Sequence, residues 1–168
     1  MNSTTAKLKN ETREKTLRDM WVSHDSRWFI KVIGECGFDV ANKLNLEVMK
    51  SIGKTEMKRL LAELDMGKID NAEKLKKIFE MAVELYLPSE HQYKFEIQDN
   101  DTVLGKVIKC FIYSFLEKAG TTGIYQCPGK TRCDSWLQVC GINGESIADK
   151  TAQNCNGNCT ITYKIKWD

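Results

Sequence analysis

At 168 residues the chain has room for one domain, expected over 1–168, with a sizeable core. It is 42% hydrophobic and 29% charged with only two prolines, which excludes a disordered or fibrous protein. Lys+Arg 25 against Asp+Glu 23 leaves +2, so charge gives no reason to expect nucleic acid or an anionic membrane as partner.

The N-terminal residues contain no apolar core of the kind a signal peptide needs. The apolar run 110–116 is too short to cross a bilayer. A cytoplasmic chain is therefore the expectation, with residues 1–11 flexible, 12–88 helical and 89–168 a cysteine-rich β half.

Leu17, Met20, Trp21, His24, Trp28 and Val32 recur at three- and four-residue steps, one stripe of a helix. Gly34 and Gly37 break it. Asp39 is a good N-cap for a second helix burying Val40, Ala41, Leu44, Val48 and Ile52, with Gly53 as its end. A third helix runs from about Thr55 to Leu64. Asp70 with Glu73 resembles a capping box and opens a fourth, through Leu75, Ile78, Phe79, Ala82, Val83 and Tyr86, limited by Pro88.

The period then changes to two. Tyr93, Phe95 and Ile97 mark a half-buried strand, residues 99–101 a turn, and 103–110 the returning strand. Residues 111–119 suit a short helix ended by Gly120, and Asp134 suits the cap of another that carries Trp136, Leu137 and Cys140. Cys159, Ile161, Tyr163, Ile165 and Trp167 share one face of a last strand. Asn156-Gly157 before it predicts a hairpin with a partner near 146–154. The sum is an α+β fold, N-terminal helices packed on a C-terminal antiparallel sheet with an inserted helix.

Gly53-Lys54-Thr55 and Gly129-Lys130-Thr131 fail as phosphate-binding loops. The glycine such a loop needs five positions before its last one is replaced by Val48 and Ile124. His24-Asp25 is not a dyad either, because adjacent helical side chains diverge by about 100°. His24 reads as a satisfied core histidine or as a polar group at the edge of an aromatic ligand pocket formed with Trp21, Asp25 and Trp28.

Of seven cysteines, only Cys36 lies before residue 110. Cys155 and Cys159 flank the hairpin tip, Cys110 ends a strand and Cys127 lies in a loop that could approach them. Four converging thiolates would suit Zn²⁺. Buried free thiols and disulfide or redox use are the other readings of this set.

The run Trp21-Val22-Ser23-His24-Asp25-Ser26-Arg27-Trp28-Phe29, with Gly37, Ala41-Asn42 and Leu44-Asn45, resembles a group of uncharacterised prokaryotic cytosolic proteins. In that group a strand-ending cysteine, another about sixteen residues on and a final pair match Cys110, Cys127, Cys155 and Cys159. Residues 154–161 also look like the close of vinyl-reductase-type ligand-binding domains, and relatives include amino-thiazoline-carboxylate hydrolase-like proteins. The resemblance implies the ligand-binding fold of nitric-oxide-signalling and Golgi-tethering domains, a small apolar or heterocyclic ligand, and a homodimer. It assigns nothing to Cys36, Cys133 or Cys140. The resulting expectation is a cytosolic small-molecule-binding or sensing domain with a structural zinc site. The alternative is a hydrolase of a small cyclic amide or thiazoline, with a cysteine nucleophile or metal-activated water.

Overall fold

The computed structural model describes residues 8–167. The flexible segment expected over 1–11 falls outside these residues as far as position 7; Asn10 and Glu11 are already helical. The elements in chain order are α1 (Asn10–Glu63), α2 (Ala72–Tyr86), β1 (Gln92–Asp99), β2 (Thr102–Lys109), α3 (Tyr113–Lys118), α4 (Gly129–Val139), β3 (Asn143–Ala148), a 3₁₀ turn (Ala152–Asn154) and β4 (Cys159–Lys166). The fold is α+β, with the strands in one antiparallel sheet of order β1-β2-β4-β3.

Three expected helices prove to be one kinked element. Gly37 adopts φ 81°, ψ 170° inside α1, a conformation that leaves the helical region and that glycine enters without steric penalty. The break expected near Gly34 and Gly37 is thus a kink. Gly53 does not end a helix. It is buried where α1 crosses α4, and a Cβ there would meet the Arg132 carbonyl oxygen at 2.9 Å and Ser135 Cβ at 3.0 Å. Gly53→Ala should gain about 1 kcal/mol of helix propensity. Overpacking against backbone should cost about 1–3 kcal/mol. A lower urea midpoint is therefore expected for Gly53→Ala. Gly34→Ala, whose Cβ meets nothing within 4 Å, should leave the midpoint equal or higher.

The phase of α1 also differs from the sequence expectation. Leu17, Met20, Trp21 and Trp28 are exposed, as are Val40, Leu44 and Val48. The sides turned toward the body carry Arg18, Val22, Asp25, Phe29 and Val32 before the kink, and Ala41, Asn42, Gly53, Glu56, Met57 and Leu60 after it. Gly53 lets α1 approach α4 closely, and Asn42, next to buried Ala41, meets the 124–126 loop.

In α2 the cap is Asn71 rather than Asp70: its side-chain oxygen accepts from the Lys74 N–H at 2.9 Å. The apolar face of α2 then meets the sheet as expected. Phe79 packs edge-on against Phe95, Trp136 and Tyr163 at ring-centroid separations of 5.9, 5.4 and 5.2 Å. Asp134 caps nothing, since α4 begins five residues earlier at Gly129. Its carboxylate accepts from the Ser146 hydroxyl and pairs with Lys130, fastening α4 to β3.

The period-two readings hold. Ile161, Tyr163 and Ile165 are buried on one face of β4, opposite Gly105, Val103 and Gly144 on the flanking strands. Cys159 continues that face and lies across from Val107. The partner strand is shorter than expected, 143–148 instead of reaching 154. The connection from 149 to 158 holds the 3₁₀ turn and Gly157 at φ 85°.

Candidate functional site

Three separate segments reach one end of the sheet. Cys159 opens β4, and Cys155 precedes it across the Gly157 turn. The chain leaving β2 is tied to that turn by the Cys110 N–H, which donates to the Gly157 carbonyl at 2.8 Å. Tyr113 covers the turn, close enough that a Cβ on Gly157 would meet its ring at 3.0 Å. The third segment carries Cys127. Its position is set from α1 by buried Asn42, whose amide donates to the Ile124 carbonyl at 2.8 Å and accepts from the Gln126 N–H at 3.0 Å. One side chain thus satisfies both backbone groups of a loop that would otherwise be free to move.

The thiols of Cys110, Cys127 and Cys159 each feel the charge of others among the four predicted cysteines. Burial pushes the Cys110 thiol up, the amides of Ile112 and Tyr113 oppose this, and the charge of Cys155 adds to it. Cys127 is exposed as a residue while its sulfur is largely desolvated. That desolvation pushes it up, the Gly129 amide at the start of α4 opposes, and Cys110 and Cys155 add to it. Burial followed by the charges of Cys127 and Cys110 pushes Cys159 up to about 12. Backbone amides directed at two of the sulfurs are the kind of donor that stabilises thiolate ligands. Among the described residues, however, no group of three or more His, Cys, Asp or Glu side chains stands as a ready cage for a metal ion.

The other cysteines lie apart from this role. Cys133 and Cys140 pack against the core, and burial pushes them up to about 11 and about 12. Cys36 is exposed beside the kink.

The four residues expected to line a ligand pocket divide. Trp21 and Trp28 face outward at 58% and 64% exposure, and His24 stacks beside Trp21 with ring centroids 6.2 Å apart. Asp25 turns inward. Burial pushes its carboxyl up, against the charges of His24 and Arg132. It shares its surroundings with Tyr125, a buried ring that Phe29 meets edge-on at 5.5 Å and whose hydroxyl receives a long contact, 3.4 Å, from the Asn45 amide. Burial pushes the Tyr125 hydroxyl up; the charges of Cys127, Asp25 and Cys110 add to this while Asn45 opposes it. The inward side of α1 therefore adjoins the thiol corner through Tyr125.

Sequence reasoning missed Tyr125 and the clamp made by Asn42, although the Ala41-Asn42 pair was among the residues carrying the resemblance. A polar residue following a small one on a helix face that approaches a loop was the available signal.

A family model described as a family of unknown function, DUF6125, matches residues 10–132, most of the chain, and the protein belongs to that family. The match takes in α1, the β1–β2 hairpin, Asp25, Cys110, Tyr125 and Cys127 and stops before Cys155 and Cys159. No curated protein matches the chain. Among the described residues no helix is long and apolar enough to cross a membrane.

Proposed function

We propose that this member of the DUF6125 family is a small-molecule-binding or sensing domain whose sheet end is tied together by a Zn²⁺ ion on Cys110, Cys127, Cys155 and Cys159. The observation that supports the reading is that the Cys110 backbone is tied to the Gly157 turn between Cys155 and Cys159, while backbone amides are directed at the sulfurs of Cys110 and Cys127. Four thiols match the donor set of a closed, tetrahedral structural site. Ligation would require the side chains to turn from their present placement. When bound, the metal supplies a cross-link among loops that carry little core of their own. The residues' part is to hold those loops within reach: Asn42 fixes the Cys127 loop and the Cys110–Gly157 hydrogen bond fixes the turn.

Asp25 and Phe29 lie on the side of α1 turned toward Tyr125 of the loop before α4, and this is where the small ligand is proposed to bind. Trp21 and Trp28, being outward, are not needed for it. The hydrolase reading has less support. A cysteine nucleophile works through a lowered pKa, whereas burial pushes Cys110, Cys127, Cys133, Cys140 and Cys159 upward. A site closed by four sulfurs also has no open position for water.

Protein purified anaerobically is expected to carry about one equivalent of zinc by elemental analysis. Co²⁺ added to the metal-free protein should give thiolate absorption that is lost in Cys110→Ser/Cys155→Ser and kept in Cys36→Ser. Less than about a tenth of an equivalent of metal, with no thiolate absorption on Co²⁺ addition, would sink the metal reading. Native mass spectrometry of the same sample should show an additional small-molecule mass; a chain carrying metal alone would sink the ligand reading.

A further inference from the structure

The outward side of α1 before the kink carries a heptad pattern that its inward side does not use. Glu14, Leu17, Trp21, His24, Trp28 and Lys31 follow one another at steps of three, four, three, four and three. The first, third and fifth occupy one seam position (a) and the others the second (d). The helix cannot rotate to bury this seam. Arg18 donates to the Glu84 carbonyl at 2.9 Å, and Phe29 is packed on Tyr125. Leu17, Trp21 and Trp28 consequently stay 66%, 58% and 64% exposed, with Met20 beside them at 63%. Contiguous apolar surface of this kind marks an interaction site more often than chance exposure does.

The geometry points to a second copy of this chain as the occupant, its α1 laid antiparallel on this seam. Reversing one helix exchanges its three- and four-residue steps, so each a position faces a d position. In the register centred between Val22 and Ser23, Leu17 meets Trp28 of the second copy and Trp21 meets its His24. The outermost layer sets Glu14 against Lys31 of the second copy. Each of these layers occurs twice, because a two-fold interface is self-complementary. Trp21 and His24, already stacked within one chain, present a flat aromatic surface to the same surface turned around. The charged end layers fix register: with the second helix parallel, Glu14 would face Glu14 and Lys31 would face Lys31.

The area is adequate. The exposed parts of Leu17, Met20, Trp21 and Trp28 offer on the order of 500 Å² per copy. A pair therefore removes about 1,000 Å² from water before flanking residues are included, the size at which specific interfaces begin. A different protein as occupant would have to reproduce both the reversed spacing and the charged ends, which this chain supplies itself.

Sedimentation velocity on the full-length chain between about 1 and 100 μM should show a concentration-dependent dimer. Glu14→Lys alone or Lys31→Glu alone sets like charges opposite each other in two layers and should weaken association about tenfold. The double variant Glu14→Lys/Lys31→Glu restores opposite charges and should return to within about twofold of the parent. Trp28→Ser should weaken association by about a hundredfold or more. These positions are exposed, so circular dichroism and the urea midpoint should match the parent. A monomer at every concentration overturns the inference. So does a dimer indifferent to Trp28→Ser, or one that the double swap fails to restore.

Discussion

Glu56→Leu is expected to remove about 3–5 kcal/mol of stability, a large part of the 5–15 kcal/mol that holds a typical domain. Glu56 lies on the inward side of α1 next to Met57 and keeps only 8% of its surface. Its carboxylate meets Arg132 in a two-pronged pair, with Nε donating at 2.8 Å and an Nη donating to the other oxygen. It also accepts from the Trp136 indole N–H at 3.1 Å, and the guanidinium stands 5.6 Å from the centre of that indole ring. Leucine would fill the space and leave a guanidinium with only 15% of its side chain exposed and no carboxylate bonded to it, beside an indole N–H without an acceptor. The penalty comes from the stranded groups more than from the lost attraction. Glu56→Leu/Arg132→Met should therefore recover most of the loss, because the charge leaves with its partner. Urea unfolding of the four members of this cycle checks it: additive losses would mean that the pair is uncoupled.

This constellation shows what could be read from the residues and what could not. Alternation in 92–98 and 159–167 gave both strands and their buried faces, because a strand has two faces and its apolar residues fall on one. The helix α2 was equally plain, with one apolar stripe and a polar remainder. In α1 the same logic misplaced the inward face before the kink and put Val40, Leu44 and Val48 inside after it. Two apolar stripes run along it about a quarter-turn to a third of a turn apart, and only contact with Tyr125, the 124–126 loop and α4 decides between them. Those partners lie some 80 residues away in sequence. Gly53 looked like a terminator because its role, permitting close approach to the Arg132 backbone, depends on a helix far along the chain. Glu56 carried no signal by itself, while Arg132 and Trp136 at an i,i+4 spacing on α4 were half of one.

The expectation of a thiol corner arose for a related reason. Asn156-Gly157 marks a tight reversal, and a reversal brings its flanking cysteines toward each other whatever the rest of the fold does. Cys110 followed from counting along a strand. The approach of Cys127 depends on Asn42, a tertiary contact. The family match divides in a similar place: it covers the residues that position the corner from α1 and ends before the turn that completes it.

Acid should destabilise the protein through His91 before it does so through the carboxylates. The ring stacks beside Tyr93 at 6.5 Å and meets Phe111 edge-on at 5.7 Å; its Nδ1 is buried with no hydrogen-bond partner among the described residues. Burial, with a smaller contribution from the charge of Arg132, lowers its pKa from 6.5 to about 4. Below about pH 6.5 the unfolded chain takes up a proton that the folded chain refuses until about pH 4. Stability from this group is thus fully present above the unfolded value, falls as pH drops through that window and changes no further below it. The shift sets an upper limit of about 3 kcal/mol on the loss. His91→Leu should flatten the stability profile between pH 6.5 and 4 and, by removing an unpaired buried nitrogen, leave the protein no less stable at pH 7. Asp70 and Glu90, which lysine contacts and local hydrogen bonds hold below the ordinary carboxylate range, and Glu96, lowered to about 2 by Lys106 and Lys94, should still lose their contribution in the variant, at lower pH. Urea midpoints of both proteins at pH 7, 5.5 and 4.5 separate the two effects. Parallel profiles across this window would show that His91 is protonated as readily in the fold as in the free chain.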